Sequence, residues 1–143
     1  IEQALKDTIG SGVLAGYPVT DVKVTLFDGS AHEQNSSEMA FTVAATKAFN
    51  EGCRRAHSIL LEPIMDVEVI TPKQHTGDVI ADLNSRRGKV FKMEARDGTD
   101  LIRAYMPLSK MFGYSTDLRS LSQGRATFVM ELSHYGEWVE NSD

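Results

Sequence analysis

The side chains that could do chemistry in this chain are four histidines, one cysteine and a few short runs of acids, amides and hydroxyls. His32, His57, His75 and His134 are scattered, with no H-x3-H, H-E-x-x-H or C-x2-C spacing that would bring ligands onto one face, so a metal centre is not expected. Nucleophilic catalysis needs a serine or cysteine beside a base. There is no G-x-S-x-G elbow, and Cys53 has only helix neighbours. A phosphate loop of the form G-x-x-x-x-G-K-S/T is also missing, which excludes nucleotide hydrolysis by that route. Asp66 and Glu68 alternate along a strand pattern and read as solvated outer-face acids, not an acid/base pair.

What remains points to contact and not to bond chemistry. The stretch FDGSAHEQNSSEM, Phe27 to Met39, sets Asp28, Gly29, Ser30 and His32 between two apolar segments. His32 by itself reads as a solvated loop residue, yet a loop held between a strand and a helix is where binding residues are presented. Arg119, Ser120, Gln123 and Arg125 form a polar helix-to-strand turn able to hydrogen-bond a phosphate or a base edge. Arg86 and Arg87 end another helix, where they either complement its dipole or grip RNA.

The elements that position these residues follow from hydrophobic period and turn chemistry. Ile1, Ala4, Leu5 and Ile9 have helical spacing up to the break Gly10-Ser11-Gly12. Val19 to Phe27 alternates, with Val22, Val24 and Leu26 on one face, as a half-buried strand would. Asn35 with Glu38 forms a predicted capping box for a helix whose apolar stripe runs to Arg54-Arg55. Helix, strand, helix is an incomplete layer, so further strands are expected ahead of Ile1.

Near Leu61-Glu62-Pro63 the pattern changes, and Pro63 marks the predicted domain boundary. A strand from Ile64 to Ile70 buries Met65, Val67 and Val69. Thr71 is the predicted cap of the next helix, with Pro72 at its first position and Gln74 closing the box; Gly88 stops it. Strands Lys89 to Arg96 and Asp100 to Met106 flank the hairpin signal Asp97-Gly98. Pro107 opens a second helix, Gly124 ends it, and a last strand from Arg125 to Leu132 turns Ala126, Phe128, Met130 and Leu132 inward. The order βαββαβ is that of a ferredoxin-like sandwich. Asp82-Leu83-Asn84-Ser85 and Asp117-Leu118-Arg119-Ser120 echo each other, as two halves of such a unit would. The expected fold is therefore α+β, an incomplete layer followed by a ferredoxin-like sandwich.

Composition bounds the class. With 41% hydrophobic and 24% charged residues in 143, the chain is of globular type, and it holds no apolar run of bilayer length and no signal-peptide pattern. One cysteine cannot form an internal disulfide, which fits a reducing cytosol with Cys53 as a small core residue. A net charge of −5 argues against coating nucleic acid by bulk electrostatics. Local arginine contacts stay open, because screening limits each charge's reach to roughly 8 Å at physiological salt.

The segments AGYPVTDVKVTLFDGSAHEQNSSEMAF, LLEPIMDVEVITP, GDVIADLNSRRG and MFGYSTDLRSLSQGRATF closely resemble the C-terminal part of bacterial elongation factor G, the translocation GTPase. The resemblance implies that residues 1–61 are the later part of domain IV, similar to ribosomal protein S5 domain 2, that 62–134 are the ferredoxin-like domain V, and that 135–143 form a tail that does not continue into the family's C-terminal helix. It implies a cytoplasmic, monomeric fragment that is not itself an enzyme. GTP and Mg would sit in the family's separate G domain, with no cofactor here and no membrane partner. The implied partner is the ribosome. His32 matches a histidine in a domain IV tip loop that meets tRNA and mRNA in the decoding region, with Asp28, Gly29 and Ser30 beside it. Arg119, Ser120 and Gln123 match positions that touch the sarcin-ricin loop of large-subunit rRNA; Arg86 and Arg87 match a family pattern without an assigned partner. Three other readings stay open: a paralogue specialised for ribosome recycling, a standalone regulatory or acylphosphatase-like module, and an RRM-type RNA binder. The last two lack their own motifs, since Thr71-Pro72-Lys73-Gln74-His75 carries no arginine cradle and Lys89 to Glu94 departs from the RRM aromatic signature.

Overall fold

Helical spacing at the start of the chain produces α1 (Glu2–Ser11), and the alanine-rich stripe produces α2 (Glu38–Arg55). The computed structural model describes residues 1–140, and the chain divides into two compact units, the first Ile1–Leu60 and the second beginning at Leu61. In the first, Thr8 is buried, returns its hydroxyl to the Ala4 carbonyl at 2.8 Å, and meets Thr46 of α2 at 3.3 Å. Cys53 is buried in α2, as its apolar surroundings predict.

Two expectations for this unit are corrected. Val19 to Phe27 forms no ladder and bends at Asp21, which is left-handed at φ 57°, and Val22, Val24 and Leu26 stay 46, 44 and 66% exposed. A pattern of alternating residues becomes a strand only where a neighbour supplies the backbone partners. Asn35 is not the cap of α2. Its N–H donates to the His32 carbonyl in a turn, and Ser37, with extended backbone, accepts from the Ala40 N–H at 3.1 Å.

The second unit is α+β, built as β1 (Leu61–Pro72), α3 (Thr76–Ser85), β2 (Lys89–Ala95), β3 (Thr99–Pro107), α4 (Tyr114–Leu121) and β4 (Thr127–Glu137). Its antiparallel sheet has the order β2-β3-β1-β4, the ferredoxin-like arrangement. One sheet face buries Met65, Val67, Val69, Ile102, Ala104 and Met106, and onto these pack Val79 and Leu83 of α3 with Tyr114 and Leu118 of α4. The opposite face is covered by neither α3 nor α4. There Phe91 stacks on Tyr105 at 4.3 Å, His134 meets the same ring edge-on at 5.4 Å, and Arg103 lies over Phe91. Asp66 is held by a two-point contact with the Arg103 guanidinium, so it is not the freely solvated acid expected of it.

Helix starts and the last strand differ from expectation. Pro63 lies inside β1. Thr71 remains in that strand, opposite Asp100, because the ladder continues to Pro72↔Thr99. No side chain takes the capping role expected of Thr71: the residue before α3 is His75, without a side-chain cap bond, and the Thr76 hydroxyl instead donates to the buried Asp100 carboxylate at 2.7 Å and ties the first turn of α3 to β3, while Gln74 contacts His75. Pro107 closes β3, and a 3-10 turn over Leu108–Lys110 separates it from α4. In β4 only Ala126 beside its start and Phe128 pack on the core; Met130 and Leu132 are 44 and 54% exposed, since the two short helices do not reach that far along an edge strand. Gly136 and Glu137 complete β4, Trp138 to Glu140 have no regular structure, and residues 141–143 of the predicted tail lie outside the described residues.

Tyr114 is fully buried with its ring edge-on to Phe128, and its hydroxyl has no hydrogen-bond partner. Burial, helped by the nearby Asp82 charge, raises its pKa above the ordinary 10.0. A raised folded value keeps its contribution intact below pH 10 and loses it as pH climbs further, because the unfolded chain releases its proton first. Tyr114→Phe removes an unsatisfied buried hydroxyl and is expected to raise stability by about 1 kcal/mol. Urea midpoints should also fall less steeply above pH 10 in the variant than in the parent; a lower midpoint at neutral pH would contradict this.

Candidate functional site

In the first unit, the expected contact residues Asp28, Gly29, Ser30 and His32 all lie exposed in the connection to α2. The Asp28 carboxylate accepts from the Gly29 N–H at 2.8 Å, a contact local to the chain after Phe27. The His32 N–H donates to the Ser36 hydroxyl at 2.6 Å, while its carbonyl accepts from the Asn35 and Ser36 amides at 3.1 and 3.0 Å. The backbone of His32 is therefore fastened from both sides and its imidazole is left to solvent. Ser36, next to the helix cap, fixes the loop, and the sequence offered only a run of two serines as its signal.

In the second unit, α4 ends with the Gly124 N–H donating to the Arg119 carbonyl at 2.8 Å and with Gln123 in the left-handed region at φ 54°. This is a Schellman-type end, with glutamine at the first left-handed position and Gly124 left-handed after it. Ser122 locks it from inside: fully buried, it donates to the Leu118 carbonyl at 2.7 Å and accepts from the Ala126 N–H at 3.0 Å. Arg119, Ser120 and Gln123 are all exposed around that turn, and Arg125 follows it. Among the described residues neither Arg119 nor Arg125 forms an ion pair. Two unneutralised guanidiniums and an amide on a rigid turn can bind phosphate oxygens or base edges.

Arg86 and Arg87 do not join this group. The Arg86 side chain is only 15% exposed. Its Nε donates to Asp82 at 3.0 Å, its Nη1 to the Lys110 carbonyl at 2.9 Å and its Nη2 to Asp117, and the guanidinium carbon stands 5.1 Å from the Tyr114 ring centre. The fork is fully engaged within the unit. Arg87 takes the left-handed conformation at φ 61° that closes α3, and its Nη1 lies 3.7 Å from the buried Glu62 carboxylate. The sequence echo acquires a meaning here, because the two repeated aspartates, Asp82 and Asp117, converge on the single guanidinium of Arg86.

Among the described residues no group of three or more His, Cys, Asp or Glu side chains could hold a metal ion, and no helix is long and apolar enough to cross a membrane.

Residues 1–57 match the family described as elongation factor G, domain IV, and residues 59–142 match the one described as elongation factor G C-terminus. A crystal structure of a protein from Thermus thermophilus is similar at 39% sequence identity with a TM-score of 0.80, covering 96% of this chain and 21% of that one. The chain thus spans about a fifth of the length of that protein.

Proposed function

Because the chain belongs to the elongation factor G family, spanning its domain IV and C-terminus, we propose that it is the ribosome-contacting region of a translational GTPase that promotes tRNA and mRNA translocation. In this reading the chain contributes no nucleotide site of its own, and GTP with Mg belongs to a separate domain. Its two contact regions act by position. His32, with Asp28, Gly29 and Ser30, meets tRNA and mRNA in the decoding region, where an imidazole can stack and hydrogen-bond. Arg119, Ser120 and Gln123 meet the sarcin-ricin loop of large-subunit rRNA.

The observation that carries the reading is the α4 turn, exposed, locked by Ser122 and bearing arginines with no carboxylate partner. The sheet face away from α3 and α4 is the geometric rival, since Phe91, Tyr105 and His134 could form a stacking row. By strand register, however, Glu68 and Glu131 share that face, and Arg103 is held by Asp66, so it is poorly suited to a phosphate backbone.

The test uses the full-length factor. Arg119→Ala should weaken ribosome binding and ribosome-stimulated GTP turnover roughly tenfold, the usual scale for losing a charge-assisted hydrogen bond, and leave affinity for free GTP unchanged. The dependence of binding on salt should flatten by about one counterion. His32→Ala should slow translocation more than GTP hydrolysis. Unchanged turnover in the first variant, or equal effects on both steps in the second, would remove the corresponding contact from the proposal.

A further inference from the structure

Phe112 stands at the other end of α4 from Arg119. It is 81% exposed, although Met111 before it and Tyr114 two residues after it are buried in the core. The loop that carries it is rigidly built. The Met111 N–H donates to the Leu108 carbonyl at 3.0 Å and the Tyr114 N–H to the Met111 carbonyl at 3.1 Å, with Gly113 turning the chain at φ 76°. Arg86 then fastens it from below, donating through one nitrogen to the Lys110 carbonyl at 2.9 Å and, more weakly, to the Phe112 carbonyl at 3.5 Å. The phenyl ring is thus exposed on a hydrogen-bonded support.

We propose that Phe112 is a second RNA contact of this unit, a platform on which an unpaired nucleobase stacks. The inference rests on the reading of the chain as ribosome-contacting and adds a site to it. The surroundings favour a base over a protein pocket. A protein-docking site usually presents a contiguous apolar patch, whereas along the chain the apolar neighbours of Phe112, Met111 and Tyr114, are buried and Gly113, Ser115 and Thr116 are the exposed ones. Lys110, two residues before Phe112 in the same loop, forms no ion pair among the described residues, so its charge is available to the sugar-phosphate attached to a stacked base. Arg86, which fastens this loop, also pairs with Asp82 and Asp117 and so offsets two carboxylates of the adjoining helices that would repel a phosphate.

The experiment measures binding of the 143-residue chain to purified ribosomes for the parent and for Phe112→Ala, Phe112→Trp, Phe112→Leu and Arg119→Ala, with thermal midpoints taken alongside. Phe112→Ala should lose affinity roughly tenfold or more at an unchanged midpoint, the usual scale of one base–aromatic stack, and Phe112→Trp should restore it while Phe112→Leu does not. Leucine restoring affinity as well as tryptophan overturns the stacking assignment in favour of an apolar protein pocket. Parent-like binding by Phe112→Ala overturns it outright when Arg119→Ala is impaired. Absence of saturable binding by the parent, or parent-like binding by Arg119→Ala, counts against the underlying reading of Arg119; in the first case the Phe112 site falls with it.

Discussion

Arg86→Ala is expected to destabilise the second unit by about 3 kcal/mol, the scale of removing one partner from a largely buried charge network. The guanidinium joins three elements whose chain positions are far apart: Asp82 in α3, the Lys110 and Phe112 carbonyls before α4, and Asp117 within α4. Alanine strands Asp82 at 19% side-chain exposure without a cation, frees the carbonyls of the 3-10 segment and removes the charge above Tyr114. Arg86→Lys keeps the charge but cannot span the fork, because an ammonium is a point donor where a guanidinium is planar with five N–H groups. It should recover less than half of the loss. Combining Arg86→Ala with Asp117→Asn should cost less than the sum of the two changes, as coupled groups do. The chain's single tryptophan, Trp138, belongs to the second unit, so its fluorescence in urea follows this unit's transition separately from the first. A midpoint within about 0.5 kcal/mol of the parent's would mean that the network is not stabilising.

Arg86 also shows where sequence reasoning reaches and where it stops. As half of an Arg-Arg pair at a helix end it reads more readily as a dipole complement than as an RNA grip, and nothing local shows the network it in fact joins. Its partner Asp117 is 31 residues away, and that separation closes only when α3 and α4 pack side by side. The second unit's topology was legible because each element declares itself over a short window: alternation in β1, the Asp97-Gly98 turn between β2 and β3, and helical period between glycines. Boundaries set by a distant strand were not. Thr71 has the composition of a cap, yet the ladder to β3 keeps it, and Met130 and Leu132 alternate correctly in β4 with no helix above them. The tip around His32 was legible as a presented loop from its framing alone, whereas Ser37 and not Asn35 is the cap because the turn closed on the His32 carbonyl runs through Ser36 and α2 starts only at Glu38.

Gly88→Ala should cost about 3 kcal/mol, the upper part of the usual range for overpacking, and for a reason distinct from backbone strain. The two helices of the second unit end in the same hydrogen-bond pattern, with Gly88 donating to the Leu83 carbonyl and Gly124 to the Arg119 carbonyl, both at 2.8 Å. Their glycines do different things. At Gly124 the backbone is left-handed, φ 77°, and a β-carbon would meet nothing within 4 Å, so alanine costs only its conformational strain, about 1 kcal/mol. At Gly88 the left-handed step is already taken by Arg87, and what the glycine supplies is space. A β-carbon there would lie 2.5 Å from the Leu83 carbonyl oxygen and collide with the Met106 sulfur. Methionine can swing aside, but the Leu83 carbonyl is held by the same N–H bond that closes α3. Relief therefore requires moving the end of α3 off β3, which loosens Leu83 and Met106 in the core and the Arg86 network at once. Urea titrations of Gly88→Ala and Gly124→Ala, followed through Trp138, should separate the two costs by about threefold. Adding Met106→Ala to Gly88→Ala should not restore stability, since the carbonyl clash persists; recovery in that double variant would identify the sulfur as the obstacle and release Leu83 from the role assigned to it.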